Sequence, residues 1–175
     1  MTEKAIILKK KPLFESAFQI MAFSQKSGRF YAIARNQSSK KNPFHGNLEV
    51  PNYTTLSLRH KHSASYVNQS DPILFFSNIR NDFNKITLAS YLINILIHVT
   101  SLNQPEPWLF ECLLNSLNQI NQLDQQLDVI QLKFEQAILN HEGLHPNSST
   151  LTSPQCIKLI ESYANKAIIP PNYLI

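Results

Sequence analysis

The most specific chemical pattern in this sequence is His141-Glu142-Gly143-Leu144-His145, which matches the H-E-x-x-H pattern of zinc hydrolases. In that chemistry two histidines bind Zn²⁺ from one face of a continuous helix, and the glutamate between them acts as general base. Glu161, further along the chain, could supply a third ligand. A zinc-dependent hydrolase is therefore one hypothesis for this protein.

Two residues argue against a working zinc site. Gly143 lies inside the motif and Pro146 follows it directly, and both are helix-termination signals. We therefore expect the helix to end within the motif and His145 to lie beyond its last turn. The chain also has no C-x-x-C pair, no glycine-rich phosphate loop and no G-x-S-x-G motif. The sequence thus predicts no catalytic residues, no metal, no cofactor and no enzymatic activity.

A second pattern interleaves cations with aromatic rings in the first part of the chain. Single-stranded nucleic acid is held in this way, since cations follow the phosphates and rings stack on unpaired bases. Phe14 and Phe44 are expected in loops, where a ring has no obvious role in a core. The predicted nucleic-acid-binding residues are Lys9, Lys10, Lys11, Phe14, Lys26, Arg29, Tyr31, Arg35, Lys40, Lys41, Phe44, Arg59 and Lys61.

The distribution of charge supports this hypothesis. Residues 1–71 hold eleven Lys/Arg and four Asp/Glu, a net charge of +7, whereas residues 72–175 carry −3. A basic first half joined to a mildly acidic second half indicates that the first half meets a polyanion. A module that uses its basic face only to bind acidic peptides remains an alternative with the same charge pattern.

The residues around these side chains predict strands in the first half. Short apolar or alternating runs at 5–8, 18–24, 30–34, 48–58 and 65–76 are separated by turn residues. Polar residues 25–29 join the second and third runs into a hairpin, Arg59-His60-Lys61-His62 forms a charged hairpin tip, and residues 35–46 read as a basic loop. Five short strands without a helix fit a small Greek-key barrel such as the OB-fold.

The second half has helical periodicity. The segment 83–99 is apolar nearly all round and is expected to be central. Pro105 and Pro107 precede a second helix, a third runs from Leu123 to Gly143, and a fourth starts at Pro154 and ends at Pro170-Pro171. The predicted fold class is α+β: an OB-fold-like DNA-binding domain over residues 1–78, followed by an all-helical domain over residues 79–175.

Composition limits the cellular setting. No run of about 18 apolar residues exists, so no membrane span is predicted, and the first residues lack the apolar stretch of a signal peptide. The expected location is therefore the cytoplasm. Cys112 and Cys156 are then expected to be buried thiols rather than a disulfide.

An ordered set of short motifs, covering roughly residues 1–146, resembles the RecO family of recombination mediators. The set comprises Ala5-Ile6-Ile7-Leu8 with Glu15-Ser16, Gly28-Arg29, Ala32-Ile33-Ala34-Arg35, Lys40-Lys41, Leu48-Glu49, Ala89-Ser90-Tyr91-Leu92 and Gly143-Leu144-His145-Pro146. The chain departs from the family at Ala17-Phe18, where Asp-Arg is common, at Asn36, where glycine is usual, and at Asn94, where Glu is expected. It also lacks the four-cysteine zinc module of many members, so it resembles a short, zinc-free member.

The resemblance implies a non-enzymatic role in DNA repair. Such proteins bind single- and double-stranded DNA, anneal strands, engage the acidic C-terminal tail of single-strand-binding protein, and work with RecR to load RecA. It also implies association with the nucleoid during repair. The helical domain is the expected place for the acidic tail, with apolar residues such as Ile93 and Ile97 beside a groove and Lys133 as a candidate partner for its carboxylates.

Overall fold

A computed structural model describes residues 1–14, 17–35, 44, 46–62, 64–122, 126–144 and 151–172; the side chain of Phe14 is outside this set. Two compact units divide the chain. Met1–Phe76 and Leu102–Phe110 form the first unit, and Ser77–Ser101 with Glu111–Ile175 form the second. Residues 102–110 thus belong with the first half of the chain, and the domain boundary at residue 78 stays a prediction.

The first unit is a closed five-stranded barrel, which confirms the predicted fold. Its strands pair in the order β1-β2-β3-β5-β4, with β4 closing back on β1 and with β3 parallel to β5. The strands are β1 (Thr2–Phe14), β2 (Ala17–Ser24), β3 (Gly28–Arg35), β4 (Tyr53–Lys61) and β5 (Ala64–Leu74). The predicted hairpin is the antiparallel β2–β3 pair, which turns at residues 25–27.

The inward-facing residues of these strands build the barrel core. Side chains alternate between the two faces of a strand, so every second residue points inward. Phe30, Ala32 and Ala34 alternate in this way on β3 and are at most 6% exposed. The other core members are Ala5, Ile7, Ile20, Ala22, Phe44, Leu48, Leu56, Leu58 and Val67.

The predicted strand at 48–58 begins later than expected, at Tyr53. Residues 46–51 form turns instead, although Leu48 still packs in the barrel core. Asn47 and Asn52 stabilise this irregular segment, because their side-chain amides donate to the backbone oxygens of Ser70 (2.7 Å) and Gly46 (3.0 Å). Pro51 has no N–H to offer a neighbouring strand.

The second unit holds α1 (Ser77–Arg80), α2 (Phe83–Val99), most of α3 (Pro107–Asn121), α4 (Leu127–His141) and α5 (Ser153–Ala164). Leu123, expected in the third helix, lies outside the described residues. The last helix ends at Ala164 rather than at Pro170-Pro171, because Asn165 adopts a left-handed conformation (φ 50°) that terminates it. Among the described residues, no helix has the length and apolar character needed to cross a membrane.

Helix α2 is central, as its composition predicts. Leu88, Leu92, Ile95 and Leu96 are fully buried. Its N-terminus is capped by Asp82, whose carboxylate accepts from the Lys85 amide at 3.0 Å. Capping supplies a partner to an amide that has none within the helix.

Candidate nucleic-acid interface

Strand pairing places several cations on the outer face of the barrel. On β3 the outward positions are Arg29, Tyr31, Ile33 and Arg35, which alternate with the buried core residues. Lys9 on β1 lies opposite Met21, which in turn lies opposite Tyr31. Lys9 and Tyr31 therefore share one row of this face, and the Tyr31 side chain is 42% exposed.

A second row runs across all five strands. Lys11 pairs with Gln19 and Gln19 with Ile33. Ile33 then pairs with Tyr66, and Tyr66 with Arg59. Partners directly opposite in a sheet project to the same side. The register thus directs Lys11, Tyr66 and Arg59 to the outside of the barrel, with Tyr66 and Arg59 as direct neighbours on β5 and β4.

A groove of about 340 Å³ opens where β3, β4 and β5 meet. We call it the cationic groove and define it by Arg35, Arg59, Lys61, His62 and Tyr66, which line it together with Ile33, Phe44, Val67 and Asn68. Arg35, Arg59 and Lys61 are exposed, and none is ion-paired with an acid in the described part of the chain. Three unpaired cations around one groove create a positive potential suited to phosphate groups.

Arg35 is positioned by an aromatic contact. Its guanidinium carbon lies 5.2 Å from the centroid of the Tyr66 ring, a cation–π arrangement. The β4–β5 turn places His62 with a positive φ of 54°, and Ser65 hydrogen-bonds His60 Nδ1 at 2.9 Å. This turn is the connection between strands 4 and 5 that OB-folds use for binding oligonucleotides.

A neighbouring groove of about 350 Å³ shares Ile33 with the cationic groove. It follows the edge of β3 past Tyr31 and Ala32 and is bounded by Ser65 and Leu102. Together the two grooves follow β3 from Tyr31 to Arg35. Cations and an exposed ring along one path are what single-stranded nucleic acid requires.

Two predicted cations are held in other interactions. Lys10 forms an ion pair with Glu49, and its ammonium group lies 4.4 Å from the centroid of the Phe18 ring. Arg29 is partly buried and donates to the Met21 sulfur at 3.9 Å, and burial lowers the pKa of its guanidinium group. Lys26 lies in the β2–β3 turn, outside the cationic groove.

Phe44 lies in a turn outside the strands, as predicted, but the expectation that its ring has no role in the core is wrong. Its ring is only 2% exposed and belongs to the barrel core, where it packs edge-on against Phe18 with centroids 6.0 Å apart. A buried ring is not available to stack on a base. Phe14 ends strand β1 rather than lying in a loop. Lys40 and Lys41 fall outside the described residues, so their role stays a prediction.

Sequence reasoning missed Tyr66 and Asn68, although both line the cationic groove. Tyr66 sits in a predicted strand, but its place beside Arg35 depends on the parallel pairing of β3 with β5. Residues 33 and 66 are far apart in the sequence, and local patterns carry no information on which strands pair. The charged hairpin tip around Lys61 was the one feature of the sequence that pointed to this region as a binding site.

In the second unit, the helix breaks within the H-E-x-x-H motif as predicted. Helix α4 ends at His141, Glu142 caps it, and Gly143 follows with a φ of 69°. The Glu142 carboxylate accepts a hydrogen bond from the Tyr163 hydroxyl. His145 lies outside the described residues. The geometry that a zinc hydrolase needs, two histidines on one continuing helix, is therefore not formed by α4.

The residues that were predicted to lie beside a groove for the acidic peptide differ in their exposure to solvent. Ile93 and Ile97 are 3% and 9% exposed, so they are core residues and do not form an open apolar wall. Lys133 is exposed on α4. The same helix carries Glu135, which is fully buried and accepts from the hydroxyls of Tyr91 (2.6 Å) and Ser153 (2.9 Å) and from the Gln131 amide (2.9 Å).

Comparison with known proteins finds similarity over most of the chain. The family model described as "Recombination protein O N terminal" matches residues 1–76, and "Recombination protein O C terminal" matches residues 80–153. The chain is similar to "DNA repair protein RecO" of Alkaliphilus metalliredigens, with 25% identity over 86% of this chain and 61% of the relative. The protein of the same name from Acetivibrio thermocellus is 29% identical over 87% of this chain and 59% of the relative. The one from Clostridium novyi is 24% identical over 80% of this chain and 55% of the relative. The chain spans about 60% of the length of the first two relatives.

Proposed function

Because this chain belongs to the RecO family of DNA repair proteins, we propose that it is a recombination mediator that binds DNA through its barrel. The observation that carries the proposal is the cationic groove, in which Arg35, Arg59 and Lys61 surround Tyr66. The cations would contact phosphates and the aromatic ring would contact an unpaired base. Phosphate contacts of this kind are independent of sequence, which suits a repair protein that acts anywhere in a genome.

The proposed role involves binding and no chemical step. The protein would bind single- and double-stranded DNA, anneal complementary strands, and help to load RecA onto DNA covered by single-strand-binding protein, together with RecR. It would act in the cytoplasm, at the nucleoid during repair. The resemblance to RecO proteins supports these finer assignments, and the positive outer face of the barrel supports the DNA contact.

Charge reversal in the groove tests the DNA contact. In Arg59→Glu/Lys61→Glu, each lost phosphate contact should reduce the slope of log K against log salt by about 0.7 for a single strand, so two lost contacts reduce it by about 1.4. The matched control is Lys158→Glu/Lys166→Glu, which makes the same change in net charge at exposed positions of the second unit. Oligonucleotide titrations at two salt concentrations measure both. If both double variants change the affinity and its salt dependence equally, the groove is not the DNA-binding site.

Lys40 and Lys41 are proposed to extend the same contact. Lys40→Glu/Lys41→Glu should weaken binding to all sequences alike and flatten the salt dependence, because phosphate contacts carry no sequence information. Unchanged affinity in this variant would restrict the site to the groove and the β-strand face.

The second unit is proposed to bind the acidic tail of single-strand-binding protein, with Lys133 as a partner for its carboxylates. Lys133 is exposed on α4, which is the structural support for this choice. A labelled peptide with the tail's acidic sequence should still bind the full chain when excess oligonucleotide is present, and Lys133→Glu should weaken it. Complete displacement by the oligonucleotide would mean that the peptide only competes for the basic face of the barrel.

A further inference from the structure

The barrel carries another pocket, of about 360 Å³, that shares no residue with the cationic groove. Its walls come from the start of β1, the β2–β3 turn, the start of β4 and the first turn of α3. We call it the Tyr53 pocket and define it by Glu3, Lys4, Gln25, Lys26, Tyr53 and Phe110. Its volume falls within the range of about 300–1,000 Å³ that is usual for ligand pockets.

Strand pairing separates this pocket from the cationic groove. Strand β1 lies between the other two strands that contribute to the pocket, because Ala5 pairs with Ser24 of β2 and with Thr54 of β4. Strand β5 assembles the groove instead, since Tyr66 pairs with Ile33 and with Arg59. Along β4, Tyr53 and Arg59 are six residues apart, about 20 Å of strand at roughly 3.3 Å per residue. One bound base cannot reach both sites.

The walls of the pocket combine two cations with an aromatic platform. Lys4 and Lys26 are exposed, and neither forms an ion pair within the described part of the chain. Tyr53 is half-buried and packs edge-on against Phe110, with ring centroids 5.8 Å apart and planes at 62°. Phe110 also touches Phe23 at 5.8 Å, so the platform is anchored in the barrel unit. Phosphate groups suit the lysines, and a planar base suits the ring.

We propose that the Tyr53 pocket is a second nucleotide-binding site, which holds one nucleotide of a single strand while the cationic groove holds a separate strand. This proposal rests on the proposed function, because it takes nucleic acid as the ligand class. A barrel with two such sites can hold two single strands at once. Bringing two strands onto one small protein raises their effective concentration relative to each other.

The pocket should bind more weakly than the groove. Glu3 lines it, and its carboxylate is buried and accepts from the Ser27 hydroxyl at 2.9 Å. Its negative charge opposes those of Lys4 and Lys26, so the pocket carries a smaller net positive charge than the three cations of the groove. Stacking on Tyr53 then contributes a larger share of the binding than phosphate contacts do.

The test counts strands bound per chain. Calorimetric titration of the full chain with an oligothymidylate of about four nucleotides, at the low end of OB-fold site sizes, should give two bound strands. Lys4→Glu/Lys26→Glu should bind one strand with the affinity of the stronger site. Arg59→Glu/Lys61→Glu should also bind one, with the affinity of the weaker site. Lys158→Glu/Lys166→Glu, the matched charge control, should keep two.

The ring is tested separately. Tyr53→Leu should weaken the second binding event about tenfold, whereas Tyr53→Phe, which keeps the ring, should bind as the wild type does. Thermal melting of each variant identifies any that fails to fold, and if Tyr53→Leu does not fold, the number of strands bound by Lys4→Glu/Lys26→Glu decides whether the pocket binds.

The possible outcomes separate this inference from the proposed function. One bound strand in the wild type, lost in Arg59→Glu/Lys61→Glu, overturns the second site and leaves the groove as the DNA contact. Binding lost only in Lys4→Glu/Lys26→Glu supports the pocket and overturns the groove. Two bound strands in both double variants overturn both assignments.

Discussion

Gly28 faces the backbone of Gln104 so closely that a Cβ at residue 28 would lie 1.8 Å from the Gln104 carbonyl oxygen and 2.4 Å from its carbonyl carbon. Gly28 also has a φ of +66°, which side chains disfavour. The contact is continued by the Asn103 amide, which donates to the Arg29 oxygen at 2.8 Å. The β2–β3 hairpin and residues 102–110 are therefore packed backbone to backbone within one unit.

Gly28→Ala should consequently destabilise the barrel unit more than a glycine substitution without such a contact. Gly46→Ala is the matched control, because Gly46 lies in the same unit, has a φ of +81°, and has nothing within 4 Å of an added Cβ. The control should lose about 1–2 kcal/mol for the left-handed backbone alone. Gly28→Ala should lose at least twice as much, and urea unfolding of the two variants measures the difference. Equal losses of unfolding free energy in the two variants would show that residues 102–110 can move to accommodate the added methyl group.

Phe44→Ala and Tyr31→Ala should have opposite effects on stability and binding. Phe44 is buried in the barrel core, so its removal should cost about 3–5 kcal/mol of unfolding free energy. Tyr31 is 42% exposed on the outer face, so its removal should lower oligonucleotide affinity with little change in melting temperature. Chemical unfolding and an oligonucleotide titration on both variants check this pair. A stable Phe44→Ala variant with lost DNA binding would restore Phe44 as a binding residue.

Glu135 should make stability depend on pH. Burial raises the pKa of its carboxyl group, and this effect outweighs the hydrogen bonds from Tyr91, Gln131 and Ser153, which lower it. A raised pKa in the fold means that ionisation favours the unfolded chain. The contribution of Glu135 to the stability of the fold is therefore largest below pH 4.5, the pKa of this carboxyl group in the unfolded chain. It is lost as the pH rises through the pKa in the folded protein.

The measurement is the free energy of unfolding as a function of pH for the wild type and Glu135→Gln. The wild type should lose unfolding free energy relative to Glu135→Gln as pH rises above 4.5. Tyr91→Phe removes one hydrogen bond to the carboxylate, so it should raise the pKa further and move the transition to higher pH. Parallel curves for wild type and Glu135→Gln would contradict this account.

Both cysteines should be slow to alkylate in the folded protein. Burial raises the pKa of each thiol to about 11, and the thiolate is the reactive form. At pH 8 roughly one thiol in a thousand is then ionised. Cys156 is fully buried and Cys112 is half-buried, so iodoacetamide should label Cys112 first. Mass spectrometry of native and urea-unfolded samples measures this order, and labelling of Cys156 at the unfolded rate would contradict it.

Glu142 should act as a hydrogen-bond acceptor for Tyr163 rather than as a catalytic base. Glu142→Ala and Tyr163→Phe should each cost about 1 kcal/mol, and the double variant should cost less than their sum, because both remove the same bond. A strong chelator should leave the melting temperature unchanged. Stoichiometric zinc in the purified protein, or a melting shift of several degrees on chelation, would instead favour the hydrolase hypothesis.

Local sequence patterns determined most of the secondary structure and the fold class. The run at residues 30–34 predicted strand β3, the all-round apolar character of residues 83–99 predicted a central helix, and Gly143 predicted the end of α4. These features depend on residues close together in the chain, where side-chain period and backbone preference act directly. The asymmetry of charge likewise indicated which half would carry a basic surface.

Only the tertiary structure decided which of those residues meet. Arg35 contacts Tyr66 because β3 pairs in parallel with β5, and no local pattern specifies a pairing between segments so far apart. Phe44 was expected to be exposed because its neighbours are polar, yet barrel closure buries it against Phe18. Residues 102–110 follow a helix in sequence but pack with the barrel unit, where Gly28 gives their backbone room. Burial and pairing at this range are properties of the closed sheet, since each strand's partners are fixed only when all five strands have assembled.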